Sequence, residues 1–198
     1  MRILVAGVGN IFLSDDGFGV EVARRMAGAP DLPDGVDVGD FGIRGIHLAY
    51  ELSSYGTAIL VDATPRGGAP GSLYALDLTE LENGFGQSPR TVIDAHGMTP
   101  DAVLEMVGMV GGTAGRVLLV GCEPATVEPG MDLSEPVAAA VAPAIALVRE
   151  LIEEELHADT ADRPRRPGGP GHRGDAVPAG HPAVSEDAGD VREAGRHA

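Results

Sequence analysis

The sequence ILVAGVGN at residues 3–10 decides how this chain begins to fold. Its first four residues are uniformly apolar, as in a buried parallel strand, and Gly7 and Gly9 then permit a tight turn towards a helix. A dinucleotide-binding turn would place a third glycine where Phe12 stands, and the paired carboxylates Asp15 and Asp16 follow instead. The stretch therefore indicates a strand-to-helix turn that carries a cation site.

Short apolar runs alternate with longer amphipathic runs over the first 157 residues. The short runs are nearly continuous in apolar character and predict buried strands, whereas the longer runs have helical spacing. We predict five strands, at residues 2–6, 36–41, 58–62, 72–76 and 116–121. We also predict four helices: residues 17–27, residues 45–55, a helix that begins at Thr99, and residues 134–157 with a kink at Pro143.

This alternation predicts an α/β fold, a three-layer sandwich with a mostly parallel, twisted central sheet of about five strands and helices on both faces. The fourth strand follows the third through a Gly- and Pro-rich loop that is too short for a helix. We therefore expect that strand to run antiparallel at an edge of the sheet.

The composition divides the chain into two parts near His157. Residues 1–157 form the predicted α/β domain, whereas residues 158–198 are rich in Gly, Pro, Ala, Asp and Arg and carry almost no large apolar side chain. Such a segment cannot bury enough surface to offset its ordering entropy. We expect residues 158–198 to be a disordered tail.

Charge excludes two classes of partner. The chain has 30 acidic residues against 14 arginines and no lysine, and residues 1–157 alone carry a net charge of −15. Binding to nucleic acid or to an anionic membrane relies on basic side chains, so neither is expected. A single cysteine, together with the absence of a recognisable signal peptide or membrane-spanning run, leads us to expect a cytoplasmic protein, which we take to be a monomer.

The predicted architecture brings the ends of distant segments together. In open α/β sheets ligands bind beyond the carboxyl ends of the parallel strands, and candidate residues lie here at or after the ends of four predicted strands and before the helix that begins at Thr99. They are Asp15, Asp16, Asp40, Asp62, His96, Cys122 and Glu123. Two carboxylates and an imidazole suit Ni, Zn, Mn or Fe with coordination positions left open. We expect any metal at this edge to be accessible to a substrate.

Several stretches resemble the hydrogenase maturation proteases, which trim the C-terminal extension from the large subunit of nickel-iron hydrogenases. The matching stretches lie at residues 7–19, 40–45, 60–63, 96–98 and 121–124, and the resemblance spans about residues 1–156. At residues 41 and 43, Phe41 and Ile43 depart from the form typical of that family. The resemblance implies an endopeptidase that acts on a [NiFe] hydrogenase large-subunit precursor.

The resemblance also implies roles for individual residues. Asp16, Asp62 and His96 would form the metal site and engage nickel that the precursor already carries, so no tightly bound cofactor is expected in the purified protein. Asp16 and Asp62 would also be the catalytic residues. Asp40, Gly42 and Arg44 would contact the substrate.

Other interpretations stay open for several of these residues. Asp15 is better explained as an acid that serves the N-terminus of the adjacent helix, and Cys122 as a buried apolar residue rather than a nucleophile. In hydrolysis the metal could activate a water with help from Asp16 or Asp62, or polarise the scissile carbonyl. The alternative functions are a nickel-sensing chaperone that binds the precursor without cutting it and, less favoured, a nucleotide-binding oxidoreductase.

Overall fold

A five-stranded sheet forms the centre of the part of the chain that the structure describes. The structure is a computed structural model and describes residues 2–79 and 115–162. Its strands follow the spatial order β2-β1-β3-β5-β4. They are β1 (Ile3–Val8), β2 (Val36–Gly42), β3 (Thr57–Ala63), β4 (Leu73–Asp77) and β5 (Arg116–Cys122).

Four strands run parallel and one runs antiparallel. β1 pairs with β2 on one side and β3 on the other, and β3 pairs with β5, all in parallel. β4 pairs antiparallel with β5 and lies at the edge of the sheet. The nine residues between β3 and β4 are too few for the crossover that a parallel partner would need. The predicted antiparallel edge strand is therefore confirmed.

Helices cover both faces of this sheet. α1 (Phe18–Ala27) and α3 (Glu135–Asp162) pack on the face that carries Ile3, Val5, Ile59 and Val61. α2 (Gly45–Leu52) packs on the opposite face, against Leu4, Ala6 and Leu60. The predicted three-layer α/β sandwich is confirmed. No helix in residues 2–79 or 115–162 is both long and apolar enough to span a membrane.

The central strands show why this sheet is the core. Every residue of β1 and of β3 is buried, in agreement with their continuous apolar sequence. α1 lies unusually close to these strands because its Gly19 has no side chain. A Cβ at Gly19 would collide with the carbonyl oxygens of Val8 and Val61. The helix that follows the first strand is thus fixed directly above the carboxyl ends of β1 and β3.

The helix bounds differ from prediction mainly at the last helix. α3 continues through Pro143 as one helix and extends to Asp162, beyond the predicted boundary at His157. The helix begins one residue later than predicted, and the hydroxyl of Ser134, directly before it, donates to Asp15. The helix predicted from Thr99 lies outside the described residues, as do residues 163–198 of the predicted tail.

Candidate active site

The turn after β1 brings its carboxylates back over the end of the sheet. Gly9 has a φ of +123°, and a Cβ there would collide with the backbone carbonyl of Asp16. Only glycine fits this conformation and this close approach. The short 3₁₀ helix Ser14–Gly17 can therefore fold back over Gly9, and a Cβ at Gly9 would also lie 3.7 Å from Oδ1 of Asp62.

Asp16 is half-buried and held by one hydrogen bond from the backbone. The amide of Asn10 donates to its Oδ2 at 2.6 Å. Burial raises the pKa of the Asp16 carboxyl, and the hydrogen bond from Asn10 offsets only part of that rise. The sequence did not predict that Asn10 would hold Asp16, because the donor is a backbone amide, which every residue except proline has.

Asp62 is the more deeply buried of the two carboxylates. It is only 5% exposed near the end of β3, and the amide of Ala63 donates to its Oδ1 at 2.9 Å. Burial and then the negative charge of Asp16 raise the pKa of Asp62 well above its ordinary value, despite the hydrogen bond from Ala63. The effect of the Asp16 charge on Asp62, together with the approach of both residues to Gly9, places the two carboxylates near one another.

Each carboxylate has one oxygen fixed by a backbone amide. Oδ2 of Asp16 and Oδ1 of Asp62 are engaged in this way. Within residues 2–79 and 115–162, the other oxygen of each has no hydrogen-bond donor, and neither side chain has an ion-pair partner. Two neighbouring carboxylates that lack a cation are costly to bury. Hard oxygen donors in this arrangement fit a divalent metal ion.

The predicted third ligand, His96, lies outside the described residues, together with the whole of residues 80–114. In the described part of the chain no group of three His, Cys, Asp or Glu side chains is placed to hold a metal ion. The structure thus brings Asp16 and Asp62 together, and the contribution of His96 stays a prediction.

Asp40, Gly42 and Arg44, which were predicted to contact substrate, lie at the end of β2 and just after it, and Gly42 connects this strand end to the turn after β1. The carbonyl of Gly42 accepts a hydrogen bond from the amide of Gly9 at 3.1 Å. Oδ2 of Asp40 lies 3.3 Å from Nε of Arg24 on α1, so Asp40 faces the side of the sheet that α1 covers. Side chains alternate along β3, and this alternation directs Asp62 to the opposite face, which α2 covers. The Arg44 guanidinium donates to the backbone carbonyls of Asp40 and Phe41.

These contacts give Asp40, Gly42 and Arg44 a structural explanation. Gly42 lies next to Gly9 at the edge of the site, and its φ of +51° favours glycine. Asp40 already has a basic partner, and two guanidinium nitrogens of Arg44 are used on the backbone. Their contacts with substrate remain a prediction.

Asp15 has a structural role, but not towards the helix for which it was predicted. It is fully buried, and its Oδ2 accepts hydrogen bonds from the amides of Ala125 and Thr126 at 2.8 and 3.0 Å. Ser134 donates its amide and its hydroxyl to the same carboxylate. Burial alone would raise the pKa of Asp15, but the hydrogen bonds from Ser134, Thr126 and Ala125 lower it overall. Asp15 therefore fastens the turn after β1 to the segment before α3.

The residues after β5 also have structural roles. Cys122 is buried, and burial first, then the charges of Asp15 and Glu123, raise the pKa of its thiol to about 11. A neutral thiol is a poor nucleophile, which supports the inert interpretation. The carboxylate of Glu123 accepts hydrogen bonds from the amides of Arg66 and Gly67 and from the hydroxyl of Tyr74. It holds the loop between β3 and β4.

Fold and site together define an α/β protein with a carboxylate pair at the carboxyl edge of a mostly parallel sheet. A profile of the family described as hydrogenase maturation protease matches residues 20–151. The hydrogenase expression/formation protein HupM of Azotobacter chroococcum is 33% identical over 154 residues, 77% of this chain and 72% of that protein. The chain belongs to the hydrogenase maturation protease family, which is a family of peptidases.

Relatives from Escherichia coli agree with this assignment. The hydrogenase 2 maturation protease is 32% identical over 155 residues, which cover 78% of this chain and 92% of that protein. The solved structure of the hydrogenase maturating endopeptidase HybD matches with a TM-score of 0.65 and 28% identity, and covers 78% of this chain and 94% of that one. The predicted family is thereby confirmed.

Proposed function

We propose that this protein is an endopeptidase that removes the C-terminal extension from the nickel-loaded precursor of a [NiFe] hydrogenase large subunit. The observation that carries the proposal is the carboxylate pair Asp16 and Asp62, close together, with raised pKa values and without a cationic partner in the described residues. Membership of a family of hydrogenase maturation proteases supports the reaction class and the kind of substrate.

Recognition of the precursor depends on the nickel that it carries. The free oxygens of Asp16 and Asp62 engage the ion together with His96, and the positive charge relieves the repulsion between the carboxylates. A precursor without nickel offers no such compensation and binds less well. Nickel is thus part of the substrate, and the protein itself needs no resident cofactor.

Hydrolysis proceeds without a covalent intermediate. The buried thiol of Cys122 is neutral, and the carboxylates are oriented by the backbone amides of Asn10 and Ala63. Asp16 is the more exposed carboxylate, so it is the better placed to take a proton from the attacking water. Asp62, held inside the sheet, positions the substrate through the ion.

The test uses the purified full-length chain and its precursor in two forms, loaded with nickel and free of it. We expect wild-type protein to shorten only the loaded form on a denaturing gel. Asp16→Asn and Asp62→Asn keep the side-chain shape but remove the charge, and both should lower the processing rate at least about 100-fold. Asp34→Asn, at an exposed position away from the site, serves as the matched control.

Each outcome of this experiment is decisive. Equal processing of both precursor forms would contradict nickel recognition, and wild-type rates in Asp16→Asn and Asp62→Asn would contradict the site. Tight binding of the loaded precursor without any cleavage would contradict peptidase action and support a nickel-sensing chaperone.

A further inference from the structure

Three exposed apolar side chains lie on the turn after β1 and on the segment before α3, and have no part in the site described above. Phe12, Val127 and Met131, here called the apolar patch, are 61%, 52% and 71% exposed. Two backbone segments bring them together, because Leu13 and Gly130 form a parallel β-bridge. The amide of Gly130 donates to the carbonyl of Phe12 at 3.0 Å. Large apolar groups grouped at the surface in this way are typical of an interaction site.

The apolar patch stands on a fixed backbone. Asp15 fastens both of its segments, through hydrogen bonds from Ala125, Thr126 and Ser134. The hydroxyl of Ser14 adds a further link to the carbonyl of Glu128 at 2.9 Å. A surface that is ordered before binding loses less conformational entropy when a partner docks.

A pocket of about 370 Å³ adjoins the apolar patch between α1 and the segment before α3, and Met131 belongs to both. Its apolar walls include Ile11, Val20 and Leu133. Four charged side chains also line the pocket, two basic and two acidic, so that their charges cancel. They are Arg24, Arg25, Glu21 and Asp132. On a domain whose net charge is −15, this locally balanced surface adds no repulsion of its own, and it suits a partner whose docking face is neutral.

The apolar patch is continuous with the carboxylate site through a single residue. The side-chain oxygen of Asn10 accepts a hydrogen bond from the amide of Phe12 at 3.0 Å, and the amide of Asn10 donates to Asp16 at 2.6 Å. Phe12, at one end of the apolar patch, is therefore linked through Asn10 to the carboxylate site, so a polypeptide bound at Asp16 can extend onto the apolar patch.

We propose that the apolar patch and its adjoining pocket form the docking surface for the hydrogenase large-subunit precursor. The inference rests on the proposed function. An apolar side chain of the precursor enters the pocket, while Phe12 and Met131 cover the surface beside it. Docking here holds the precursor so that its cut site reaches the carboxylates.

The test measures steady-state processing of the nickel-loaded precursor by the full chain. The double variant Phe12→Ser/Met131→Ser removes the centre of the apolar patch and should raise KM at least about tenfold, with kcat unchanged. Ile46→Ser/Tyr50→Ser is the matched control, because these side chains are 62% and 60% exposed on α2. The control should keep the wild-type KM, and unchanged Tm values show that both variants are folded.

Several results would overturn the docking surface. The first is an unchanged KM in Phe12→Ser/Met131→Ser, and the second is an equal rise of KM in the control. The third is a gain in kcat/KM of the double variant, because it would mean that another part of this chain covers the apolar patch. If the wild-type chain is a dimer, and the double variant is a monomer with an unchanged KM, the apolar patch would be the contact with a second copy of the chain. If the wild-type chain cuts no precursor, the proposed function fails. The Kd of the loaded precursor for wild type and for the double variant then still decides the docking surface.

Discussion

Asp15 and Ser134 are joined by two hydrogen bonds although 119 residues separate them in sequence. The amide of Ser134 donates to Oδ1 of Asp15 at 2.6 Å, and its hydroxyl donates to Oδ2 at 2.9 Å. Asp15 directly precedes Asp16, so this contact connects the start of the last helix to the carboxylate site. Among residues 2–79 and 115–162, the groups that satisfy this buried charge are hydrogen-bond donors and include no cationic side chain.

Replacing Asp15 with Ala should destabilise the protein by about 3–5 kcal/mol, because several buried donors lose their acceptor. The pKa of Asp15 is lowered in the folded protein, so its stabilisation is present above the ordinary carboxyl pKa and is lost as the pH falls through the folded pKa. Urea unfolding of wild type and Asp15→Ala at several pH values measures this. A difference in stability that is equal at pH 7 and at pH 2 would contradict the role assigned to the charge.

Replacing Asp62 with Asn should stabilise the free protein while it removes processing. The pKa of Asp62 is raised well above 3.8 on folding, so ionised Asp62 costs stability, and that cost grows as the pH rises from the unfolded pKa to the folded pKa. The Tm of Asp62→Asn should therefore exceed that of wild type at pH 7, by a few degrees, and should match it near pH 3. A lower Tm for Asp62→Asn at pH 7 would show that Asp62 has a cationic partner in the free protein.

Replacing Gly9 with Ala should disrupt the site more than its small size suggests. The φ of +123° strains any L-residue, and the added Cβ meets a backbone atom of Asp16 that cannot rotate away. We expect a loss of about 3 kcal/mol or more in stability and a fall in processing rate. Gly67→Ala is an informative control, since Gly67 also has a positive φ of +83° but has open space around it. Equal losses in the two variants would attribute the effect to φ alone.

Replacing Cys122 with Ala should leave processing intact. The thiol is buried and its pKa is raised to about 11, so it takes no part in hydrolysis. The variant should lose about 1–2 kcal/mol of stability because a small cavity opens beside β5. Processing rates and urea unfolding test the two statements separately. Abolished processing with an intact fold would assign Cys122 a chemical role.

Local sequence predicted most of the sheet and two of the helices correctly. β1 and β3 are continuous apolar runs whose burial on both faces follows directly from their composition. The position of β4 followed from the length of the loop before it, because a parallel crossover needs more residues. The predicted bounds of the strands and of α1 differ by at most two residues from those observed, whereas α2 ends three residues earlier than predicted, at Leu52, and the last helix extends further, to Asp162.

The proximity of Asp16 and Asp62 was predictable in outline, because parallel strands end at a common edge, and Asp16 follows β1 while Asp62 lies at the end of β3. The role of Asp15 was not, since its partners lie more than a hundred residues away and three of its four donors are backbone amides. Glu123 was missed as a structural residue for the same reason, because it binds the amides of Arg66 and Gly67. Backbone donors are available at every residue except proline, so sequence alone cannot say which of them a carboxylate will find.

The amino-acid sequence by itself determined the α/β class and the edge at which the candidate site lies, because apolar runs, turn glycines and loop lengths act locally along the chain. The family followed from the resemblance of its motifs. The sequence already separated Asp15 from Asp16, but only the tertiary structure showed which groups surround each of the two acids. Asp15 reaches donors on the segment before α3 and stays ionised, whereas Asp16 folds back over Gly9 towards Asp62. The two side chains are chemically identical, and only the groups that surround each one in space distinguish them.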